Sequence, residues 1–473
     1  MSDQPSATAG HDDEDTRAAA EELRAAWEQM LGSLGEARDA IDTPALYPPP
    51  ANPRNLAEGY RYVLGFLYGA IARGIGPTPE NPFFVRAIQP LNRSTIDNAD
   101  AIYLCAPIDG HYAYRIRGRA ADTRHWRGEP PAPTGRKAPH YVIFETPSGY
   151  SGDSGELREM APGSRANGAV LDCTALQVEP DGSFEILLAP ERPEGHTGNF
   201  MATRAVRNRT LPDGTVQTRE YISRFVVLRE LFYDWDREDL LDLSIHRIDR
   251  LGLPAPRLTP AEAARQLREV GRLARNQVHF WNAFYAVTLE AYGDMNGDGQ
   301  TFMPRNDFNR PNAASLATGG GMATNIYCGG IYELADDEAL VMELHQPVEP
   351  YYIGFHLGNP WGESLEFGSA QSSLNAFQAD REPEGTLRYV IAHRDPGIAN
   401  WVDTTGHPVG YMSVRWAYPV RPKENLPWAT AKVIKLTDLW EHLPAHTRRV
   451  SAEERRATIA MRQEHVQRRY RQH

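Results

Sequence analysis

A chain of 473 residues is long enough for two or three domains with full-sized cores, and its net charge of −12 argues against nucleic acid as the main partner, because a phosphate-binding face needs a basic excess. Only three cysteines occur (Cys105, Cys173 and Cys328), with no CxxC pair, which leaves no support for a disulfide framework or a zinc ribbon. No run of eighteen apolar residues and no apolar leader segment is present, so the expectation is a soluble, cytoplasmic protein without a membrane partner.

Residues 1–15 are polar and acidic and read as a disordered tail. A helical region follows over 16–80. In its first helix Leu23, Trp27, Leu31 and Leu34 fall at helical spacing. In its second, from about Asn55 to Gly74, Tyr60, Val63, Leu64, Leu67 and Ile71 do the same. Tyr47-Pro48-Pro49-Pro50 is a stiff break between them. Both stripes are read as packing faces that dock on the β-domains. The Trp27 face would serve equally well on a second copy, in a homo-oligomer.

A first β-domain is expected over 81–250. Ala101 to Cys105 and His111 to Arg117 read as strands joined by a turn at Pro107-Ile108-Asp109-Gly110. His140 to Thr146 is another strand. The Gly/Ser-rich stretch Ser148 to Asn167 is a long loop, either functional or merely mobile. Thr259-Pro260-Ala261-Glu262 starts a linking helix over 259–292 with a capping-box pattern and proline at its first position. Its aromatic end (His279, Phe280, Trp281, Phe284, Tyr285) either packs or lines a cavity between two β-domains.

A second β-domain is expected over 326–436, and a final helix over 451–473 opens at Ser451-Ala452-Glu453-Glu454. Within the second β-domain, Gly410 to Tyr418 alternates, with Tyr411, Ser413 and Arg415 on one face and Met412, Val414 and Trp416 on the other. Glu382-Pro383-Glu384-Gly385-Thr386-Leu387 repeats the residue types of Glu179-Pro180-Asp181-Gly182-Ser183-Phe184. Gly198-Asn199-Phe200 then echoes Ala399-Asn400-Trp401, and the strand around Arg229 echoes the one around Arg415. The first copy carries an extra hairpin at Pro212-Asp213-Gly214. The pattern predicts an internal duplication. The fold is expected to be mainly β with helical additions: two tandem β-sandwich domains, an N-terminal helical pair and a long linking helix.

GNPWGESLEF (358–367), SSLNAFQ (372–378), DPGIANWVDTTGHPVG (395–410) and RWAYP (415–419) resemble the bacterial family described as domain of unknown function 1214, often paired with domain of unknown function 1254. The resemblance covers about the last 150 residues well, and Asp97 to Trp235 more loosely. It implies tandem jelly-roll-like β-sandwiches and carries no settled activity. Where relatives read Asn-Trp-Leu-Pro, this chain has Asn400-Trp401-Val402-Asp403, the mark of a divergent branch.

Three constellations carry candidate chemistry. Asp294, Asn296 and Asp298 with Gly299 fit the first half of a calcium loop, but position twelve is Arg305 where a bidentate glutamate belongs. His393-Arg394-Asp395 resembles the start of a two-histidine, one-carboxylate metal site, with His407, His345 or His356 as the third ligand. Against that, Asp395 equally stabilises its own Pro-Gly turn. The third set is Trp361, Asn375, Gln378, Asn400, Trp401 and Arg415 for binding a ring-bearing or polyhydroxylated small molecule, with Asp403 or Glu363 and His407 as a general acid/base pair. The alternative is scaffold, since a feature duplicated in both repeats is usually fold-making. Gly319-Gly320-Gly321 lacks the Lys-Ser/Thr of a phosphate loop, and no dinucleotide or nucleophile-elbow motif occurs, so no cofactor is expected. The leading reading is a metal-independent hydrolase or lyase working in a cleft between β-domains. The alternatives are a non-catalytic ligand-binding or assembly protein and a metal-dependent oxygenase or hydrolase.

Overall fold

The computed structural model describes residues 8–42, 53–161, 163–210, 214–291, 303–311 and 325–471. Helix α1 (Thr8–Asp42) begins inside the stretch expected to be disordered. Its buried face is Ala26, Met30, Ala37 and Ile41, while Trp27 and Leu31 are 49% and 44% exposed. The cause is a close approach to helix α3 (Pro260–Ala291): a Cβ on Gly271 would lie 2.8 Å from the Cα of Met30. Small and unbranched side chains fit that seam, and the bulky ones turn outward. Helix α2 (Pro53–Gly74) opens with proline at its first position and buries Tyr62, Val63 and Ala70. Tyr60, Leu64 and Ile71 of its expected stripe are exposed. No helix among the described residues is long and apolar enough to cross a membrane.

The first β region comprises β1 (Val85–Ile88), β2 (Ala101–Pro107), β3 (Tyr114–Arg119), β4 (Tyr141–Pro147), β5 (Asn167–Asp172), β6 (Ser183–Ala189) and β7 (Asn199–Ala202). It continues with β8 (Arg204–Thr210), β9 (Val216–Ile222), β10 (Phe225–Leu231) and β11 (Asp242–Arg247). Its main sheets run β1-β2-β10-β4-β5 and β11-β3-β6-β7 around one apolar core that includes Tyr114, Phe144, Ile186 and Leu228. Strands β8 and β9 form a separate two-stranded ribbon; residues 211–213 of the expected hairpin lie outside the described residues.

After α3 come β12 (Asn325–Glu333), β13 (Glu338–His345), β14 (Tyr352–Gly358), β15 (Ser373–Asn375), β16 (Leu387–Ala392), β17 (Trp401–Asp403), β18 (Val409–Ala417) and β19 (Trp428–Lys435). Their sheets run β12-β18-β14-β15 and β17-β16-β13-β19. Helix α4 (Ala452–Arg469) closes the chain with a complete Ser451/Glu454 capping box. At the start of α3, Thr259 Oγ1 accepts from the Glu262 amide at 3.2 Å, but the Glu262 carboxylate turns to Arg265 instead of closing the box.

Strand order matches between the two regions: β2-β10-β4-β5 against β12-β18-β14-β15, and β11-β3-β6-β7 against β19-β13-β16-β17, with β6–β7 and β16–β17 both parallel. The echoed turns match in detail. Gly182 and Gly385 both take positive φ, 85° and 92°, and donate their amides to Glu179 and Glu382 at 2.9 and 2.8 Å. Asn199 Nδ2 donates to Gln177 O (2.8 Å) and Glu185 O (2.9 Å), and Asn400 Nδ2 to Asp380 O (2.7 Å) and Arg388 O (2.9 Å). Each also accepts an amide hydrogen, from Gln177 and Asp380 respectively.

Candidate functional site

Alternation along four strands builds the site. On β18, Met412, Val414 and Trp416 enter the core of the second β region, which turns Tyr411, Ser413 and Arg415 to the opposite face. On β10, Val226 and Leu228 join the first core, and Val227 and Arg229 look the other way. These outward faces, with those of β2 and β12, border one cavity of about 480 Å³. Trp281 and Phe284 from the aromatic end of α3, Phe66 and Arg73 from α2, and Tyr150 and Arg165 from the Ser148–Asn167 loop complete its wall.

Four arginines line this cavity (Arg73, Arg165, Arg229 and Arg415) against one carboxylate, Glu145. Arg73 is already paired with Asp153 (2.9 and 3.1 Å) and lies 4.1 Å over the Tyr150 ring. Arg165 donates to Ser151 Oγ at 2.7 Å. Arg415 donates to His356 Nδ1 at 2.8 Å and to the Ile96 carbonyl. Burial, reinforced by the adjacent guanidinium, pushes the His356 pKa well below its ordinary value, so the imidazole is neutral and accepts. Thr95 and Ile96 carry φ of 66° and 52°, a left-handed conformation that β-branched residues rarely adopt. The Ile96 amide donates to Gly362 O at 2.7 Å and the Thr95 amide to Tyr285 Oη at 2.9 Å, so the turn that receives Arg415 is held from both sides.

Of the residues proposed from sequence for binding, Arg415 borders this cavity and the others lie elsewhere. Trp361 is buried among α1, α2 and α3, lies tilted against Tyr62 with ring centroids 5.6 Å apart and donates Nε1 to Asn55 O at 2.8 Å. Asn375 donates to Asp100 Oδ1 (3.0 Å) and Tyr233 O (3.1 Å). Gln378 borders a separate, smaller hollow of about 220 Å³ beneath α4. Asn400 bridges its turn, and Trp401 donates to Ala392 O at 3.0 Å within an apolar cluster.

The acid/base residues are rearranged. The carboxylate that reaches His407 Nε2 is Glu58 of α2, at 2.7 Å, while Asp403 Oδ1 accepts from the Thr405 amide at 2.7 Å. Arg54 Nη2 donates to His407 Nδ1 at 2.9 Å. Burial works against ionised Glu58, but the bonds from His407 and Arg54 outweigh it and hold its pKa below the usual value. Glu363 joins the same network one step away: Asn359 Nδ2 donates to Glu363 Oε2 (2.7 Å) and to Glu58 Oε2 (3.2 Å). Burial pushes Glu363 up to about 7. Glu363 of this network lies close enough to Tyr62 and Tyr285 to raise the pKa of both phenols further.

The metal reading finds its residues otherwise engaged. His393 bonds Thr404 Oγ1 (2.6 Å) and Leu334 O (3.1 Å) with its two ring nitrogens, and Asp395 accepts from the Gly397 amide (2.8 Å) and Arg455 (2.9 Å). His345 stacks on Trp428 at 4.9 Å, and His356 belongs to Arg415. Asp294, Asn296 and Asp298 lie outside the described residues, as does Gly319-Gly320-Gly321. Among the described residues, Glu382, Glu384 and His446 lie close enough together to hold a cation, but Glu382 is already bonded by Arg388 at 2.7 Å.

Arg73 and Arg165 escaped the sequence reading, because neither sits in a motif. Arg229 was visible in the echo of Arg415. No family model matches the chain, and no curated protein matches it. An uncharacterized protein from Burkholderia cenocepacia shares the fold: its crystal structure superposes with a TM-score of 0.69 at 23% identity, over 89% of this chain and 99% of that one. A protein from Vibrio parahaemolyticus is matched over 85% of this chain and all of its own, with a TM-score of 0.41 and 12% identity.

Proposed function

We propose that this protein binds a small, ring-bearing anion in the cavity between its two β regions. The observation that carries this is the imbalance of the wall: Arg73 is met by Asp153 and Arg229 lies near Glu145, while Arg165 and Arg415 are held by neutral partners, among tyrosines and the α3 aromatics. Guanidinium groups offer planar donor pairs to a carboxylate or phosphate, and the rings offer it an apolar face. The test is calorimetric titration with benzoate and with benzyl alcohol, its neutral counterpart. Benzoate binding that weakens with salt, with benzyl alcohol silent, supports the reading. Absence of heat for any ring-bearing anion sinks it.

Acid/base hydrolase or lyase chemistry is the second reading, favoured by one observation. Glu363, raised toward neutrality by burial, is linked through Asn359 and Glu58 to His407 and lies in the electrostatic range of Tyr285, whose hydroxyl accepts from the Thr95 amide. It requires turnover that disappears in Glu363→Gln while benzoate still binds. The architecture we infer is two β-sandwiches from a duplication, supported by matched strand order and matched asparagine and turn bonds. Membership of a divergent branch of the domain of unknown function 1214 family is proposed on the residues quoted above.

A further inference from the structure

The outer surface of α2 carries an inference independent of the cavity. We propose that this chain pairs with a second copy of itself across the solvent face of α2, as an isologous two-fold dimer.

Helix α2 is apolar on two sides. Tyr62, Val63 and Ala70 form its inner face, packed with residues of α1 and α3. Tyr60, Leu64 and Ile71 share another face at helical spacing. Ile75, just past the end of the helix and still bonded through its amide to Ile71 O at 3.1 Å, continues that line. Two more bulky side chains adjoin it. Phe83 abuts Gly76, where an added Cβ would lie 3.4 Å from its ring, and the Leu91 carbonyl lies 3.3 Å from the same position on Gly65. All six are between 44% and 67% exposed. A helix that is apolar all round is normally covered all round, and here the outer side faces solvent.

Charge and area select a second copy as the occupant. From Tyr60 to Ile75 the charged residues are Arg61 and Arg73, and Arg73 is turned to Asp153. The chain carries a net −12, so self-association needs a face that brings few charges together, and this stripe is such a face. An anionic lipid surface asks instead for lysines and arginines beside the apolar stripe, and the net charge works against it. A two-fold axis sets a face against itself. Antiparallel pairing of α2 about an axis between Leu67 and Tyr68 sets Tyr60 against Ile75 of the second copy and Leu64 against Ile71 of the second copy. Six side chains at about half exposure offer on the order of 600 Å² per copy and about 1,200 Å² in the pair, which reaches the lower bound of specific interfaces.

The experiment is sedimentation equilibrium on the full chain over about 1 to 100 μM, where an interface at this lower bound dissociates. The parent should reach twice the mass of one chain as concentration rises, and added salt should not reverse it. Leu64→Glu and Ile71→Glu each bury a carboxylate in the seam and should weaken pairing at least about 100-fold. Both positions face solvent in the single chain, so each variant should keep the cooperative melting of an undimerised parent. If one variant fails to fold, the other decides. Trp27→Glu, on the exposed side of α1, should leave the dimer intact. The mass of one chain at every concentration overturns the pairing, as does a dimer that Leu64→Glu and Ile71→Glu both preserve. A dimer broken by Trp27→Glu and spared by Leu64→Glu moves the seam to α1 and overturns it as well. A monomeric parent that floats with phosphatidylserine vesicles gives the stripe to a lipid surface instead.

Discussion

Asn199 and Asn400 make the same three hydrogen bonds in the first and second β regions, whereas Arg229 and Arg415 turn away from both cores toward one cavity. Recurrence alone does not separate scaffold from site. The asparagine pair sits where a turn must be tied to a neighbouring strand, so each region needs its own. The arginine pair sits on the sheet face opposite the core, where Arg415 also ties His356 and the Ile96 carbonyl, and repetition there brings the same group from each region to a common space. The regions differ in what braces them. The second is bolted to the helices by Trp361 and by the Glu58–His407 bond; the first is tied to them through its long loop, where Asp153 meets Arg73 of α2 and Gln277 of α3.

The bracing asymmetry is the sharpest place to press. Trp361→Ala should remove about 3–5 kcal/mol of stability in chemical denaturation, since it empties a packed site under three helices. Loss of under 1 kcal/mol would mean the helices are held elsewhere. The asparagine equivalence comes next. Asn199→Ala and Asn400→Ala should each cost about 2–3 kcal/mol through buried backbone groups left unpaired, and benzoate affinity should not change in either. Asn400→Ala that spares stability but abolishes binding would return that residue to the site.

Glu363 offers a smaller, pH-dependent effect confined to the second region. Burial raises its folded pKa to about 7, above the ordinary carboxylate value, so the folded state holds a proton that the unfolded chain releases. Its contribution is fully present below about pH 4.5 and is lost as pH rises through about 7. Glu363→Gln should reduce that slope in denaturation curves taken from pH 5 to 8, leaving the part that comes from Glu230 and Glu238, both pushed up to about 8 by burial. An unchanged slope would place the titration elsewhere. Smallest of all, Asp395→Ala should cost about 1 kcal/mol by freeing the Gly397 turn and Arg455, with metal content by elemental analysis the same in both proteins.

Much of the cavity was legible where local rules govern. The alternation of Tyr411, Ser413 and Arg415 against Met412, Val414 and Trp416 is a two-residue period, and its second set is the one that packs in the core of the second region. The Glu-Pro-x-Gly echoes fixed the matching turns because glycine at positive φ is a backbone requirement. What stayed hidden depends on distant partners. His407 finds its carboxylate 349 positions away on α2, so pairing it with nearby Asp403 followed proximity in sequence where the fold follows proximity in space. In α1 the large apolar residues drew the eye, but the seam with α3 at Gly271 is too close for them, and the smaller Ala26, Met30 and Ala37 form the contact.

Helix α4 has a consequence for the way the molecule comes apart. Arg462 donates to Phe367 O (2.8 Å) and Ser373 O (3.1 Å) in the second region, while Arg468 donates to Trp235 O (2.8 Å) in the first. Tyr352 of the second region donates to Asp100 of the first at 2.6 Å. Separating the two halves breaks all of these at once and strips the arginines of partners they hold away from water. Neither half therefore has a cheap route to melting by itself, and heat should take both in a single calorimetric transition. The walls of the cavity are in this sense one cooperative unit.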